Sequence, residues 1–203
     1  LDAGLEAATA LVERIFGKAL SGEARPVARD PKTALQEQLS EMQTKNVLIN
    51  QSKVDMSVEL ADTIEKERWV HTFGCGHATL PIEEMYPRIG GFVGFHPMIE
   101  LPLTFFTNIV GGMSVQQFVF LERVEGYGKE IMKGYNFDTR DTLWIFSHTG
   151  INAVNIDVAL TAKEKGMKVI AYGSAENIEN RKTRHSSGKT LYDVADIFVS
   201  TCA

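Results

Sequence analysis

Cysteine and long apolar runs are both scarce in this sequence. The two cysteines, Cys75 and Cys202, stand far apart and show no metal-ligand spacing, so the sequence predicts neither a disulfide framework nor a zinc site. The same scarcity favours a reducing, cytoplasmic compartment. No apolar run approaches the roughly 20 residues of a membrane-spanning helix, and the first six residues lack the layout of a signal peptide. We therefore expect no association with a membrane.

Positive charge is limited as well. The chain carries 21 Lys and Arg residues against 26 Asp and Glu residues, a net charge of −5, whereas nucleic-acid-binding domains usually show a basic excess. We therefore expect no nucleic-acid partner. The chain does contain 44% hydrophobic and 23% charged residues over 203 positions. These values are typical of one globular domain with an additional helical segment.

The start of the chain predicts a helix and a linker. Apolar residues recur at three- and four-residue spacing over residues 1–20, and Ser21-Gly22 ends the pattern. Proline and glycine in residues 22–33 predict a linker. The sequence thus divides into an N-terminal helix and linker, residues 1–33, and a main domain, residues 34–203, which opens with a long helix.

That long helix, predicted from about residue 32 to residue 67, carries an apolar repeat of seven residues. The repeat has two interpretations, an amphipathic helix that packs on its own domain or a helix–helix seam between subunits. Asn46 and Lys53 interrupt the stripe, which weakens the second interpretation, and the stretch could hide a break into two helices. The repeat consists of Leu35, Met42, Ile49 and Met56, with Leu39 and Leu60 beside it.

From Trp69 onward, short apolar runs alternate with helical segments and glycines. Strand, helix and strand at this spacing predict right-handed βαβ units and a parallel sheet. Ligands of such sheets bind at the carboxyl ends of the strands, where the loops 74–79 and 147–152 are expected. The predicted strands are 69–73, 92–95, 142–146, 167–172 and 196–200, the helices are 80–86, 118–134 and 151–165 with a helical turn at 191–194, and 173–189 is a loop.

The stretch from Leu143 to Asn152 is the most informative part of the chain. Four apolar residues that read as a buried strand are followed by Ser147, Thr149 and Gly150 and then by a helical pattern. Hydroxyls and free backbone N–H groups converge at such a helix start, where the helix dipole is positive. The pattern predicts an anion pocket. The alternative is that Ser147 and Thr149 only cap the helix.

Four stretches of the sequence together resemble one family. Three of them are loops described below, and the fourth is Leu121–Tyr127. On these stretches the chain resembles the SIS (sugar isomerase) domain family over residues 45–203, and within it a bacterial-type group of phosphosugar-binding proteins. The stretches are Phe73–Thr79 (FGCGHAT) with Glu83, Glu84 and Arg88–Gly91 behind it, Ser147–Asn152 (SHTGIN), and Arg184–Lys189 (RHSSGK) followed by Leu191–Asp196.

The resemblance implies a three-layer α/β/α sandwich around a five-stranded parallel sheet, a flavodoxin-like fold, here preceded by N-terminal helices. It implies a sugar phosphate as ligand, no cofactor, and a homodimer or homotetramer with the site near a subunit interface. Members of the group extend beyond the position of Ala203, so a final strand or helix is expected to be missing here.

The resemblance also assigns binding residues. The loop after the third strand grips the phosphate of the sugar, and the other two loops complete the pocket. The family usually has Ser at the position of Ala78, so one hydroxyl is absent from the first loop. The implied ligands are Ser147, His148, Thr149, Gly150 and Asn152, then Gly74, Gly76 and Thr79 of the first loop, and Ser186 and Ser187 of the third.

An isomerase needs a carboxylate base that moves a proton between neighbouring sugar carbons. Glu83 and Glu84 are the candidates, with Glu84 preferred because the family pattern keeps it directly ahead of Arg88. His77 and His185 are the candidate acids, since histidine exchanges protons near neutral pH. The alternative for the two glutamates is interaction with the helix dipole and solvent.

Three other chemistries find no support. Cys75 reads as a small buried residue and not as a nucleophile, because no base partner is evident. The spacing around Lys189 does not match a P-loop, and His71 with His77 forms no familiar metal pattern.

Two functions remain open. The first is a phosphosugar enzyme, such as an aldose–ketose isomerase that uses a carboxylate base. The second is a non-catalytic SIS module that senses a phosphosugar. A third possibility is a protein whose N-terminal helical segment mainly drives assembly.

Overall fold

The centre of the structure is a parallel sheet of five strands. The computed structural model describes residues 51–86, 89, 93–104, 114–179 and 181–201. The strands are β1 (Val70–Gly74), β2 (Phe95–Pro97), β3 (Thr142–Phe146), β4 (Lys168–Gly173) and β5 (Ile197–Ser200). Their order in the sheet is β2-β1-β3-β4-β5, and every neighbouring pair is parallel. This is the flavodoxin-like order of doubly wound folds.

Helices fill most of the connections between the strands. A helix, α1, covers residues 51–65 before the first strand. Among the described helices after it, the longest has twelve residues and follows β3 across the loop 147–152. The remaining helices are α2 (Leu80–Met85), α3 (Leu101–Thr104), α4 (Ser114–Leu121), α5 (Tyr127–Lys133), α6 (Ala153–Glu164), α7 (Ala175–Glu179) and α8 (Leu191–Val194).

The sheet is buried on both faces, because helices pack on each side of it. Successive strand residues point to opposite sides, so β1, β3, β4 and β5 each contribute to both clusters. On one face Leu60 and Met56 of α1 pack against Val70 and Ile170. On the other face the buried strand residues pack against α5, α6 and α8, and their cluster includes Phe73, Leu143, Ile145, Val169, Ile131, Val154, Val158 and Leu191. The predicted three-layer α/β/α sandwich with a five-stranded parallel sheet is therefore confirmed.

Most predicted elements are present. The strand 142–146 and the helical turn 191–194 have the predicted bounds. The remaining correct elements differ from the prediction by one or two residues at an end, and they are the strands predicted at 69–73, 167–172 and 196–200 and the helices predicted at 80–86 and 151–165.

Three predicted elements are wrong. The second strand is Phe95–Pro97 and not 92–95, because Gly94 has a left-handed φ of 106° and forms a turn. Residues 118–134 form two helices, since Gly126 with a φ of 90° separates α4 from α5. The predicted loop 173–189 contains α7, whose backbone begins at Ala175 directly after β4.

Several predictions concern residues outside the described part of the chain. Residues 1–50 are among them, so the N-terminal helix, the linker and the 1–33/34–203 division stay predictions, as does most of the apolar repeat. Met56 of the repeat and Leu60 beside it pack on the sheet, which supports an amphipathic helix on its own domain for that part. None of the helices in the described ranges is long and apolar enough to cross a membrane.

A buried polar cluster lies at the amino end of the central strands. His71 Nδ1 lies 3.0 Å from His96 Nδ1, and His71 Nε2 lies 3.2 Å from Asp141 Oδ2. Asp141 also accepts the backbone N–H groups of Trp69 and Asp138. Burial lowers the pKa of His71, although the hydrogen bond and charge of Asp141 oppose that shift. The folded protein therefore favours neutral His71.

This lowered pKa predicts a loss of stability in mild acid. The unfolded chain takes up a proton on His71 near pH 6.5, while the folded chain resists it. The free energy of unfolding should hold above about pH 6.5 and fall below it, by up to about 1.4 kcal/mol per pH unit for one proton. The free energy of unfolding, measured by urea denaturation at pH 7.5, 6.5 and 5.5, should depend less steeply on pH in His71→Gln than in the wild type. The variant His148→Gln, at an exposed histidine, should keep the pH dependence of the wild type. An unchanged pH dependence in His71→Gln would contradict the assignment.

Candidate functional site

The loop after β3 is closed by a buried serine. Ser147 Oγ accepts the backbone N–H of Gly150 at 3.2 Å and the side-chain amide of Asn155 at 3.2 Å. Helix α6 begins at Ala153, and its N-cap residue Asn152 makes no side-chain capping bond. Ser147 therefore fixes the shape of the loop and does not cap the helix backbone.

Glycine is required at the tip of this loop. Gly150 has a left-handed φ of 61°, which other residues rarely adopt. A Cβ atom there would lie 2.6 Å from Ile178 Cδ1 and 2.9 Å from Ile178 Cγ1. The backbone of the loop thus turns directly beneath α7. The carbonyl oxygen of Gly150 accepts the N–H of Leu191 at 2.8 Å.

Backbone donors collect at this turn. Within the described part of the chain, five N–H groups around it have no hydrogen-bond acceptor, and the hydroxyl of half-buried Thr149 likewise has none. They lie at the start of α6, a twelve-residue helix whose dipole adds positive potential there. The arrangement suits an anion. The N–H groups belong to His148, Thr149, Ile151, Asn152 and Ala153.

The loop after β1 is a short 3₁₀ helix, Gly76–Thr79. A Cβ on Gly74 would lie 2.7 Å from the carbonyl oxygen of Ala78, so the loop folds tightly over the strand end. The hydroxyl of buried Thr79 lies 2.6 Å from the carbonyl oxygen of Gly76 and 3.0 Å from Glu83 Oε1. Thr79 holds the loop together from within.

The remaining predicted residues of this region differ in burial. Glu83 is half-buried and in contact with Thr79, whereas Glu84 and His77 are exposed. Cys75 is buried, its Sγ lies 3.6 Å from Asn155 Oδ1, and burial raises the pKa of its thiol. Cys75 is therefore a protonated packing residue, as the sequence predicted.

A chain of hydrogen bonds joins the second and third loops. Arg184 Nη1 donates to Asn152 Oδ1 at 2.6 Å, and Asn152 Nδ2 donates to Glu122 Oε2 at 2.7 Å. A guanidinium can only donate, which fixes the orientation of the Asn152 amide. Both polar groups of Asn152 are thus used between Glu122 and Arg184.

Glu122 is a buried carboxyl group in this chain. Burial raises its pKa, while Arg123, Arg184, the hydrogen bond from Asn152 and His77 lower it to a smaller extent. The influence of His77 places the first loop within electrostatic range of the other two. Sequence reasoning missed Glu122 as a site residue. It lies within the stretch Leu121–Tyr127 and follows an apolar helix directly, which is the signal that could have identified it.

The third loop is anchored on α6 by a buried aspartate. Asp157 Oδ1 lies 3.2 Å from His185 Nε2, and Asp157 Oδ2 accepts the N–H of Gly126 at 2.6 Å. The backbone N–H of Ser187 donates to His185 Nδ1 at 3.0 Å. Nδ1 is therefore an acceptor, and the ring proton sits on Nε2 facing Asp157.

The two serines of the third loop also have partners inside the protein. Ser186 donates its backbone N–H to Glu125 Oε2 at 2.9 Å and its hydroxyl to Glu125 Oε1. The hydroxyl bond from Ser186 holds the pKa of Glu125 below its usual range. Ser187 Oγ lies 2.8 Å from His185 Nδ1.

The three predicted loops therefore meet at the carboxyl ends of β1 and β3. Loops two and three are joined directly, because Arg184 N–H donates to the carbonyl oxygen of Ile151 at 2.9 Å. His148, by contrast, is exposed and contacts Asn177 at 3.1 Å. Among the described residues, no group of three or more His, Cys, Asp or Glu side chains is placed to hold a metal ion.

Sequence comparison connects this arrangement to known proteins. The profile of the SIS domain matches residues 29–174, more than half of the chain. A UPF0309 protein of Listeria innocua serovar 6a is 34% identical over 161 residues, 78% of this chain and 63% of the relative. A UPF0309 protein of Geobacillus sp. strain WCH70 is 36% identical over 141 residues, 70% of this chain and 55% of the relative. The chain thus spans less than two thirds of the length of these relatives.

Among solved structures, phosphoheptose isomerase GmhA from Neisseria gonorrhoeae is 14% identical with a TM-score of 0.47, over 83% of this chain and 88% of that chain. A likeness this low supports no conclusion about chemistry. The profile match stands independently of it, covers the first two loops and confirms the resemblance to the family. The chain belongs to the SIS domain family.

Proposed function

We propose that this chain binds a phosphorylated sugar, with the phosphate on the loop 147–152. The observation that carries the proposal is the group of five N–H donors, on residues 148, 149 and 151–153, that have no acceptor within the described part of the chain, beside the hydroxyl of Thr149. A phosphate offers several acceptor oxygens and negative charge to such a helix start. Membership of the SIS domain family supports a sugar phosphate as the molecule that brings it.

The side chains divide into two groups under this proposal. Thr149 and the backbone donors contact the phosphate, and Gly74, Gly76 and Gly150 let the backbone approach it. The other predicted ligands give the pocket its shape through their internal bonds, and they are Thr79, Ser147, Asn152, Ser186 and Ser187. His148 lies at the exposed rim.

We propose that the bound sugar undergoes aldose–ketose isomerisation through a carboxylate base. Among the predicted acids, His77 is exposed and within electrostatic range of the site. His185 has both ring nitrogens engaged by the protein, so we assign it to anchoring the loop. Incubation with a panel of aldose and ketose phosphates in heavy water should place deuterium at C1 or C2. Binding without exchange would support the alternative, a phosphosugar sensor.

Charge at position 149 tests the phosphate site. Thr149→Asp puts a carboxylate where the phosphate binds. Thr149→Asn introduces a side chain of nearly the same size as aspartate but without the charge. We expect inorganic phosphate and sugar phosphates to bind at least about tenfold more weakly to Thr149→Asp than to Thr149→Asn, a difference of about 1.4 kcal/mol or more. Thermal shift measures this, because a ligand that binds only the folded state raises the melting temperature.

The exposed Thr139, at the opposite end of β3, supplies the control. Thr139→Asp should leave the phosphate-induced shift unchanged, because the residue lies away from the loop. Equal shifts in Thr149→Asp and Thr149→Asn would show that the phosphate binds elsewhere.

We further propose that the protein acts as a homodimer or homotetramer, as the family resemblance implies. Light scattering on the whole chain measures this directly, and a monomeric mass would contradict it.

A further inference from the structure

We propose that Glu122 is the catalytic carboxylate of this site, placed to exchange a proton with a bound sugar phosphate. The inference rests on the proposed phosphosugar function and names the base that function requires. Glu122 follows α4, and its backbone carbonyl oxygen accepts the N–H of Val154 at 3.2 Å, in the first turn of α6. The residue is thereby fixed beside the loop 147–152.

The side chain of Glu122 is held by one oxygen only. Oε2 accepts the hydrogen bond of Asn152 Nδ2 at 2.7 Å. Oε1 accepts no hydrogen bond from the described residues. A carboxylate base needs this combination, because one oxygen must be oriented while the other stays available to a carbon-bound proton.

The neighbour that orients Glu122 belongs to the phosphate loop itself. Asn152 supplies one of the unpaired backbone N–H groups and, through its side chain, the bond to Glu122. Arg184 fixes the Asn152 amide from the other side. Phosphate position and base position are thus coupled through a single residue.

The electrostatic setting agrees with this role. Only 9% of Glu122 is exposed, and burial raises the pKa of its carboxyl group against the opposing influence of Arg123, Arg184, Asn152 and His77. A carboxylate with a raised pKa is a stronger base than an exposed one and releases its proton more readily than water does.

The two glutamates suggested by sequence are less suited to the task. Glu83 contacts the hydroxyl of Thr79 within the first loop. Glu84 is exposed on α2. Glu122, in contrast, contacts the phosphate loop directly through its hydrogen bond with Asn152.

The proposed step moves one proton between two carbons through Glu122 and one between two oxygens through the acid, with no net change of oxidation state. Glu122 removes the proton from the sugar carbon next to the carbonyl, and the electron pair of that C–H bond forms the C=C bond of an enediol. The carbonyl oxygen takes a proton from His77, which is exposed and acts electrostatically on Glu122. In the return step the neighbouring hydroxyl gives its proton back to His77 as the new carbonyl forms, and Glu122 gives its proton to the other carbon.

The test uses the whole chain and the pair E122Q and E83Q. Glutamine at 122 still accepts the bond from Asn152, so the loop should keep its shape. We expect E122Q to bind inorganic phosphate and sugar phosphates within about twofold of the wild type, and to lose deuterium exchange at C1 or C2 by at least about 100-fold. E83Q should retain exchange within a fewfold.

The outcomes separate this inference from the proposed function. Exchange that persists in a folded, ligand-binding E122Q overturns the role of Glu122 and leaves phosphosugar binding intact. A wild type that binds without exchange also overturns it. E122D is the second variant, because it keeps the charge but withdraws the carboxylate by one methylene. A loss of exchange in E122D with its binding retained would support the assignment even where E122Q folds poorly. Failure of the wild type to bind any sugar phosphate would reject the proposed function itself.

Discussion

Gly128→Ala is expected to lower the free energy of unfolding by about 3 kcal/mol, the upper part of the usual range for overpacking a core. Gly128 lies in α5 where that helix packs on α6. A Cβ there would lie 2.5 Å from Asp157 Cβ and 2.5 Å from the carbonyl oxygen of Val154. Val154 belongs to a helix backbone, which cannot withdraw as a side-chain tip can. The two helices must therefore separate.

A second glycine of the same region supplies the control. Gly134 ends α5 with a φ of −74°, which alanine adopts without strain, and a Cβ there would meet only the carbonyl oxygen of Ile131 at 3.3 Å. Gly134→Ala should change the free energy of unfolding by less than about 1 kcal/mol. Urea denaturation of both variants measures the difference. Equal midpoints for Gly128→Ala and the wild type would show that the helices are less closely packed than described.

Asp157→Ala should lower the free energy of unfolding by about 3 kcal/mol and detach the third loop from α6. The fully buried carboxylate accepts two donors, the N–H of Gly126 and Nε2–H of His185. Its removal takes the acceptor from the Gly126 N–H and leaves His185 Nε2 with only Glu125 Oε1, at 3.7 Å. A buried donor left unsatisfied costs about 1–3 kcal/mol. Asp157→Asn should lower the free energy of unfolding nearly as much as Asp157→Ala does, because the NH₂ of asparagine faces one of the two donors and cannot accept its hydrogen bond.

A double-mutant cycle with His185→Ala isolates the bond between the two side chains. His185→Ala alone removes one of the two donors and should cost less than Asp157→Ala. The double variant should be more stable than the sum of the single effects predicts, with a coupling of about 1 kcal/mol or more. Urea denaturation of the four proteins measures it. Additive effects would mean that His185 and Asp157 do not stabilise one another.

The sheet could be predicted because its strands carry local signals. The run that ends at Phe146 is apolar and short, Asp141 precedes it, and Ser147 follows it. The second strand lacks such a signal, since it has three residues and includes Pro97. Proline is tolerated there because β2 is an edge strand and needs bonds on one side only.

The break between α4 and α5 could not be predicted for a different reason. The periodicity of residues 118–134 is continuous, and the break is stabilised by partners about 30 residues away. Val154 donates to the carbonyl oxygen of Glu122, and Asp157 accepts the N–H of Gly126. Such long-range contacts leave no trace in local spacing.

In the candidate site, too, local signals could be predicted from the sequence and long-range contacts could not. The sequence located the three loops, since glycines and hydroxyl residues at strand ends are visible in it. It could not show which polar groups already have partners within the protein. Thr79, Asn152 and Ser186 are engaged internally, whereas Glu122, which the prediction left out, is buried among them.

The bond between Val154 N–H and the carbonyl oxygen of Glu122 also bears on how the site opens. It joins the α4–α5 connection to the same helix start that supplies the free donors. Local unfolding of that connection would remove Glu122 and loosen the loop 147–152 in one step. A ligand that requires the intact loop therefore suppresses this opening in proportion to its occupancy. Proteolytic susceptibility of the connection thus becomes linked to ligand concentration, even though the connection need not touch the phosphate.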